Sequence, residues 1–409
     1  MKKLQRFTAG AALTLSLGAS AFGQHYTQTN LVSNTSGVAP VTDPQLVNPW
    51  GLSRGSNGAW WVSDNLAGVS TLYNGAGVKN PLIVTIPPAD PTNKKTPIGS
   101  PAGTIFNSSP IDFLIAPGFP AQFIFATNDG SIAAWNPNVG IAQGATPPST
   151  HAETVARTND GSGYTGVTSA FIDGKRFLYV ANFSKGRIDV YDNAFHRVKL
   201  RGNESHDSFD QVDFNEDQYS NGNEPFVDDR LPRDYVPFNV QAIGNDIVVT
   251  YVLHQKGQQF ETDGPGLGYV DIYTSSGKLL RRFEHGDWLN APWGVALAPL
   301  DFGKFSHDLL VAQFAGGTAT ENSGVIAAYD LVTGKFEGLL EDASGKPIAI
   351  PGIWAISPGN VAPANSDPAA VPAAQLYFTQ QVTLNGGTSG GLFGYLTADS
   401  TDLVEGNGQ

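Results

Sequence analysis

The chain has 409 residues with 47 Gly, 27 Pro, no Cys and one Met, and 41% of it is hydrophobic. Gly and Pro stay below the share of a low-complexity chain, and 23 Phe, 13 Tyr and 7 Trp supply a large core, so disorder, collagen and coiled coil are excluded. Without Cys there is no disulfide scaffold, thiolate zinc site or cysteine nucleophile, and a net charge of −13 with no basic stripe disfavours nucleic acid as a partner.

In chain order, the first element is an export signal. Lys2, Lys3 and Arg6 form a positive end, residues 7–17 a short apolar run, and Ala19-Ser20-Ala21 a cleavage site. Residues 1–21 are expected to be a signal peptide, with cleavage after 23 as the alternative. The apolar run is too short to cross about 30 Å of hydrocarbon. No other stretch approaches a membrane span, so the mature protein is expected to be secreted or periplasmic.

A strand-like segment follows at 26–34, and then the chain repeats itself. Asn48-Pro49-Trp50-Gly51-Leu52-Ser53 matches Ala291-Pro292-Trp293-Gly294-Val295-Ala296, and Pro351-Gly352-Ile353-Trp354-Ala355-Ile356 is a weaker copy. Short β-branched or aromatic runs recur at 60–64, 122–128, 177–182, 246–251, 308–313 and 375–380. Behind each run stands Gly-x4-aromatic: Gly68/Tyr73, Gly130/Trp135, Gly186/Tyr191, Gly268/Tyr273, Gly324/Tyr329 and Gly390/Tyr395. Chance placement gives about two such pairs, so six in phase mark a repeat.

Apolar side chains alternate within Arg187-Ile188-Asp189-Val190-Tyr191, as in a strand half-buried on one face. No long stretch has helical periodicity. Six units of short strands that cannot bury both faces alone predict an all-β, six-bladed β-propeller over 24–409, with a β-solenoid as the runner-up. After 390–396 too few apolar residues remain for a last outer strand. Segment 26–34 is therefore expected to close the ring in blade six and to remove an open edge.

The motifs Asn48-Pro49-Trp50-Gly51-Leu52, Trp61-Val62-Ser63-Asp64-Asn65, Phe123-Ile124-Phe125-Ala126-Thr127, Ala181-Asn182-Phe183, Pro237-Phe238-Asn239-Val240-Gln241 and Pro292-Trp293-Gly294 cover nearly the whole mature chain. Together they resemble an uncharacterised bacterial secreted family of NHL-like β-propellers, some of which carry a PEP-CTERM sorting tail. The resemblance implies an NHL-type propeller and transfers no activity. This chain ends without such a tail, and 201–225 reads as an acidic insertion.

Topology places the candidate site. The long connections 201–236, 252–267, 314–323 and 381–389 all belong to one face, where functional loops gather. Asp64, Asn128, Asn182, Tyr251, Gln313 and Gln380 end the second strands there and are expected to ring the channel mouth as ligand-binding residues. The competing reading is that these side chains tie down loop backbones. In the insertion, Asp213, Asn215, Asp217, Asn221 and Glu224 match a twelve-position calcium loop, although Gln218 stands where the motif needs Gly. Calcium is therefore the candidate metal and cofactor.

Catalytic signatures are poor, with no H-E-x-x-H, G-x-S-x-G or Walker loop. His254, Glu261 and Asp263 share one rim loop and form the best acid–base trio. A binding module is the leading expectation, a monomer that takes a small molecule, glycan or protein at the channel mouth. The alternative is a hydrolase or lactonase with a metal on Asp64, Asn128 and Asn182, for which one carboxylate is thin. The Trp residues at repeat starts (Trp50, Trp293, Trp354) are expected to pack between blades.

Overall fold

A computed structural model describes residues 24–56, 58–200, 224–315, 323–359, 374–383 and 389–399. The signal segment and all of 201–223 lie outside the described residues, so four of the five calcium-loop positions (Asp213, Asn215, Asp217 and Asn221) do too.

Six antiparallel sheets surround a central axis, each with strands A to D counted outward. Blade 1 is Pro49–Ser53, Trp60–Asp64, Val69–Tyr73 and Lys79–Thr85. Blade 2 is Pro101–Phe106, Phe123–Thr127, Ser131–Trp135 and Glu153–Arg157, with a small hairpin (Leu114–Ala116, Phe119–Pro120) between A and B. Blade 3 is Tyr164–Ile172, Lys175–Asn182, Arg187–Tyr191 and Arg197–Val198. Blade 4 is Tyr235–Ile243, Asp246–Leu253, Tyr269–Tyr273 and Leu279–Arg282. Blade 5 is Pro292–Leu297, Leu309–Gln313, Ile326–Tyr329 and Phe336–Leu339. Blade 6 is Ile353–Pro358, Gln375–Thr383 and Ser389–Ala398, and its outer strand is the N-terminal Tyr26–Ser33. The fold is a six-bladed β-propeller. Among the described residues helix occurs only as 3-10 turns, Phe183–Lys185 and Gly303–Phe305 among them.

The repeated Gly-x4-aromatic motif has a local cause. Gly68, Gly130, Gly186 and Gly324 stand at B–C turns with φ between 64° and 81°, a conformation that favours a residue without Cβ. The aromatic five positions on lies in strand C directly opposite a strand-B residue: Tyr73 faces Trp60, Trp135 faces Phe123, Tyr191 faces Leu178, Tyr273 faces Ile247, Tyr329 faces Leu309 and Tyr395 faces Tyr377. Turn and pairing together set the register of each blade.

Burial then welds the blades. Six apolar clusters fill the six gaps between neighbours; Ile124 and Ile132 of blade 2 meet Leu178 and Val180 of blade 3, for example. Because both faces of a blade are covered, the polar residue in the 187–191 alternation does not face water. Asp189 is buried, accepts from Arg187 Nε at 2.7 Å and Asn182 Nδ2 at 2.8 Å, and receives the Tyr164 hydroxyl at 3.0 Å. Period 2 holds, and the second face packs on the next blade, as expected of propeller blades that cover each other.

Closure follows the expected route. Tyr26–Ser33 runs antiparallel to Ser389–Ala398, from Tyr26 opposite Ala398 to Ser33 opposite Leu392. Tyr26 is buried, and its hydroxyl donates to the Phe302 carbonyl at 2.9 Å. Val41–Thr42 adds a short parallel cover outside this strand, which further blunts the edge.

Candidate functional site: the channel mouth

The mouth is the face where B–C turns and D–A connections meet. Strand A, the innermost, brings its second residue to the axis in blades 1, 5 and 6 (Trp50, Trp293 and Trp354) and its fourth, Phe238, in blade 4, joined by Phe183 and Phe314 from just beyond two B strands. Trp354 is sandwiched between Trp50 and Phe314, with ring centroids 3.6 Å away on both sides. Trp293 meets Trp50 and Trp354 edge-on at 6.0 and 5.6 Å, and Phe238 meets Trp354 edge-on at 5.8 Å. Stacked and edge-on pairs are the arrangements that ring quadrupoles favour. The repeat-start Trp residues therefore pack against one another on the axis and close the channel, whereas the sequence reading placed them between blades.

The next residue of strand A forms a waist. A Cβ on Gly51 would stand 2.5 Å from the Ala102 carbonyl oxygen, one on Gly103 2.7 Å from the Val167 nitrogen, and one on Gly294 2.3 Å from the Trp354 carbonyl oxygen. The Trp-Gly pair of the repeat thus has two jobs, an aromatic to plug and a glycine to let strands converge. Among the described residues an axial cavity of about 30 Å³ is bordered by Gly103, Thr104, Asn239, Gln241 and Trp293. That is room for one or two waters, not for an organic ligand.

Around the plug runs a chain of amides. Trp354 Nε1 donates to Asn48 Oδ1 at 3.1 Å, Asn48 Nδ2 to Asn65 Oδ1 at 3.4 Å, Asn65 Nδ2 to Asn128 Oδ1 at 2.6 Å, and Asn128 Nδ2 to the Tyr164 carbonyl at 3.2 Å. Sequence reasoning missed Asn48 and Asn65. Their signals were present: Asn48 opens the Asn-Pro-Trp-Gly repeat in the left-handed region, with φ of 49°, and Asn65 directly follows Asp64.

The six strand-end residues divide in two. Asp64 is fully buried on blade 1; its Oδ2 accepts from the Thr71 nitrogen at 3.0 Å and hydroxyl at 2.7 Å, while Oδ1 is buried without a partner. Burial pushes its carboxyl well above the ordinary range. Asn182 holds Asp189, Tyr251 shares a hydroxyl bond with Tyr273 at 2.7 Å, and Gln313 accepts from the Asn290 nitrogen at 2.9 Å. These four are buried and bonded into the scaffold. Asn128 and Gln380 are half-buried at the surface, the latter donating to the Pro351 carbonyl at 2.9 Å. Counted from the strand-B residue opposite each strand-C aromatic, the fourth residue on is Asp64, Asn182, Tyr251 and Gln313, but Thr127 and Gln381 in blades 2 and 6. Asn128 and Gln380 are each one step out of that register.

The acid–base trio is not joined. His254 stacks on Phe183 with centroids 4.3 Å apart, and its Nε2 bonds the Gln258 carbonyl at 3.0 Å, not a carboxylate. Burial pushes Glu261 up to about 7 and Asp263 up to about 6, and Asp263 Oδ1 is buried without a partner. Of the calcium-loop residues only Glu224 is described, half-buried, and burial raises its carboxyl. Among the described residues no three His, Asp or Glu converge as a metal site. No described helix is long and apolar enough to cross a membrane.

No known family profile matches the chain. It is 26% identical to uncharacterized protein R648 of Acanthamoeba polyphaga mimivirus over 336 residues, 80% of this chain and 72% of that protein. Uncharacterized protein L690 of the same virus is 27% identical over 342 residues, covering 80% and 77%. Uncharacterized protein R640 is 29% identical over 267 residues, 64% of this chain and 43% of its own length. These relatives are viral, where the motifs had pointed to a bacterial family. Among solved structures, a streptogramin B lyase aligns with 92% of this chain and 98% of its own at 12% identity and a TM-score of 0.42. The dihydro-heme d1 dehydrogenase NirN aligns with 81% and 52% at 9% identity and 0.37. At these scores the sheet pairing described above, not the likeness, carries the fold.

Proposed function

We propose that the chain is an exported propeller module that binds a ligand or partner on the rim of its closed mouth. The observation that carries this reading is the aromatic plug: with the axis filled, a ligand has to lie on the mouth and not within the channel. Half-buried Trp50 offers an aromatic floor, and half-buried Asn128, Gln380 and Gln381 border it with neutral amides. Asp64, Asn182, Tyr251 and Gln313 would then act from inside, by holding the rim loops in place. Aromatic faces with neutral hydrogen-bonding groups suit an uncharged, polyhydroxylated ligand such as a glycan.

Tryptophan fluorescence of the full chain, titrated with cello-, xylo- and chitohexaose, tests this. A saturable change that weakens about tenfold in Asn128→Ala, a loss of roughly 1.4 kcal/mol, is expected. No response to any of the three removes the glycan class and leaves a protein partner. The hydrolase alternative has its best groups in Glu261 and Asp263, whose raised carboxyls suit general acid work, but among the described residues no metal set adjoins them.

Two further proposals concern segments 1–23 and 201–223. Export predicts a mature N-terminus at residue 22 or 24, which mass spectrometry of secreted material reads directly. Calcium at Asp213, Asn215, Asp217, Asn221 and Glu224 predicts that millimolar Ca²⁺ protects 201–236 from proteolysis and that Asp213→Ala abolishes the protection.

A further inference from the structure

Several half-buried arginines find a carboxylate; Arg54 lies on the face opposite the mouth. Arg187 and Arg197 reach Asp189 or Asp160 at 2.7–3.5 Å, and Arg282 is hydrogen-bonded to Asp228. Arg54, just past strand A of blade 1, is half-buried yet has no carboxylate at ion-pair distance among the described residues. The Tyr377 phenol lies nearby, and its hydroxyl donates to the Gly75 carbonyl at 2.9 Å.

The guanidinium lies over Trp60, with Cζ 5.3 Å from the ring centroid. Its Nη2 donates to the Ser56 carbonyl at 3.1 Å, and its Nε is buried with no acceptor. Trp60, fully buried, has an Nε1 in the same condition. A cation and two unanswered N–H donors thus meet in one place, between the lower ends of blades 1 and 6.

We propose that Arg54 and Trp60 form an oxyanion site on this face, taking a carboxylate or phosphate group. A planar guanidinium held on an indole presents its fork in a fixed direction, the geometry that recognises such groups. Burial alone holds the Arg54 guanidinium below its ordinary value, and a bound anion would reverse that effect. The site is independent of the mouth, so either can exist without the other.

Sodium phosphate and sodium acetate, titrated into the full chain against NaCl at matched ionic strength, test the site. Tryptophan fluorescence and Tm are the readouts. A saturable change with a Tm gain that NaCl does not produce is expected, and the stronger of the two arms names the group. Arg54→Gln should abolish it, Arg54→Lys should weaken it about tenfold, and Trp60→Phe, which keeps the ring but loses the donor, should weaken it several-fold. A response that does not saturate in the unaltered protein, or one that is unchanged in both Arg54→Lys and Trp60→Phe, overturns the proposal. In that case the donors are satisfied by water or by the indole face.

Discussion

Gly51 shows how a single hydrogen atom in place of a methyl decides the waist of the ring. Its missing Cβ would collide with the Ala102 carbonyl at 2.5 Å and the Thr104 nitrogen at 2.7 Å, both backbone atoms of the neighbouring innermost strand. Backbone at the centre of six converging blades has nowhere to go. Gly51→Ala should therefore cost about 2–4 kcal/mol, at the upper end of overpacking. Gly58 is the control: its nearest neighbours lie 3.8 Å from an added Cβ, so Gly58→Ala should stay within about 0.5 kcal/mol. Urea denaturation of the two variants measures the contrast, and equal midpoints would refute the waist. In sequence, Trp50-Gly51 and Trp293-Gly294 stood out as repeats, but nothing in their spacing said that the Trp fills the axis. That required the six strands to be brought together.

At the scale of the element, the closing strand carries the most weight. Tyr26–Ser33 buries Tyr26, Leu31 and Val32 and completes the ladder on blade 6. At about 1.5–3 kcal/mol for each fully buried large side chain, those three contribute roughly 5–8 kcal/mol before any hydrogen bond is counted. Deleting residues 24–34 should consequently lower Tm by more than about 10 °C and expose the 389–398 edge to self-association. Light scattering beside a thermal melt reads both effects. A melting temperature equal to that of the intact chain would remove the strand's role. This element was legible because 26–34 reads as a strand that stands ahead of the first repeat.

For the whole molecule, burial of carboxyls sets the response to pH. Burial, then the neighbouring Asp228, pushes Asp271 up to about 8; burial also raises Glu261 to about 7 and Asp263 and Asp308 to about 6. Groups whose folded values are raised give their full stabilisation below the unfolded value near 4, and lose it as pH rises through 6 to 8. Asp228 works the other way. Burial pulls it up, but hydrogen bonding to Arg282 overrides this and holds it down, so its contribution disappears as pH falls below about 4. Tm should be highest near pH 5 and fall by on the order of 5 °C by pH 9. Asp271→Asn should flatten the decline between about pH 4 and 8. Circular-dichroism melts across this range check both, and a flat profile for the unaltered chain would contradict them.

Repeat number, blade register and ring closure were decided by the sequence alone, because each depends on local features. Gly-x4-aromatic needs a left-handed turn and a strand, and 26–34 reads as a strand ahead of the first repeat. The candidate site was legible only as a face. Which of Asp64, Asn128, Asn182, Tyr251, Gln313 and Gln380 reach solvent depended on the tertiary structure, since a blade covered on both sides makes period-2 alternation silent about water. Asp64, Asn182, Tyr251 and Gln313 turn into their own scaffold, while Asn128 and Gln380, one step out of register, remain at the surface. Closure of the channel was likewise a tertiary outcome, for Trp50, Trp293 and Trp354 lie up to about three hundred residues apart and stack only when the ring brings their strands to one axis.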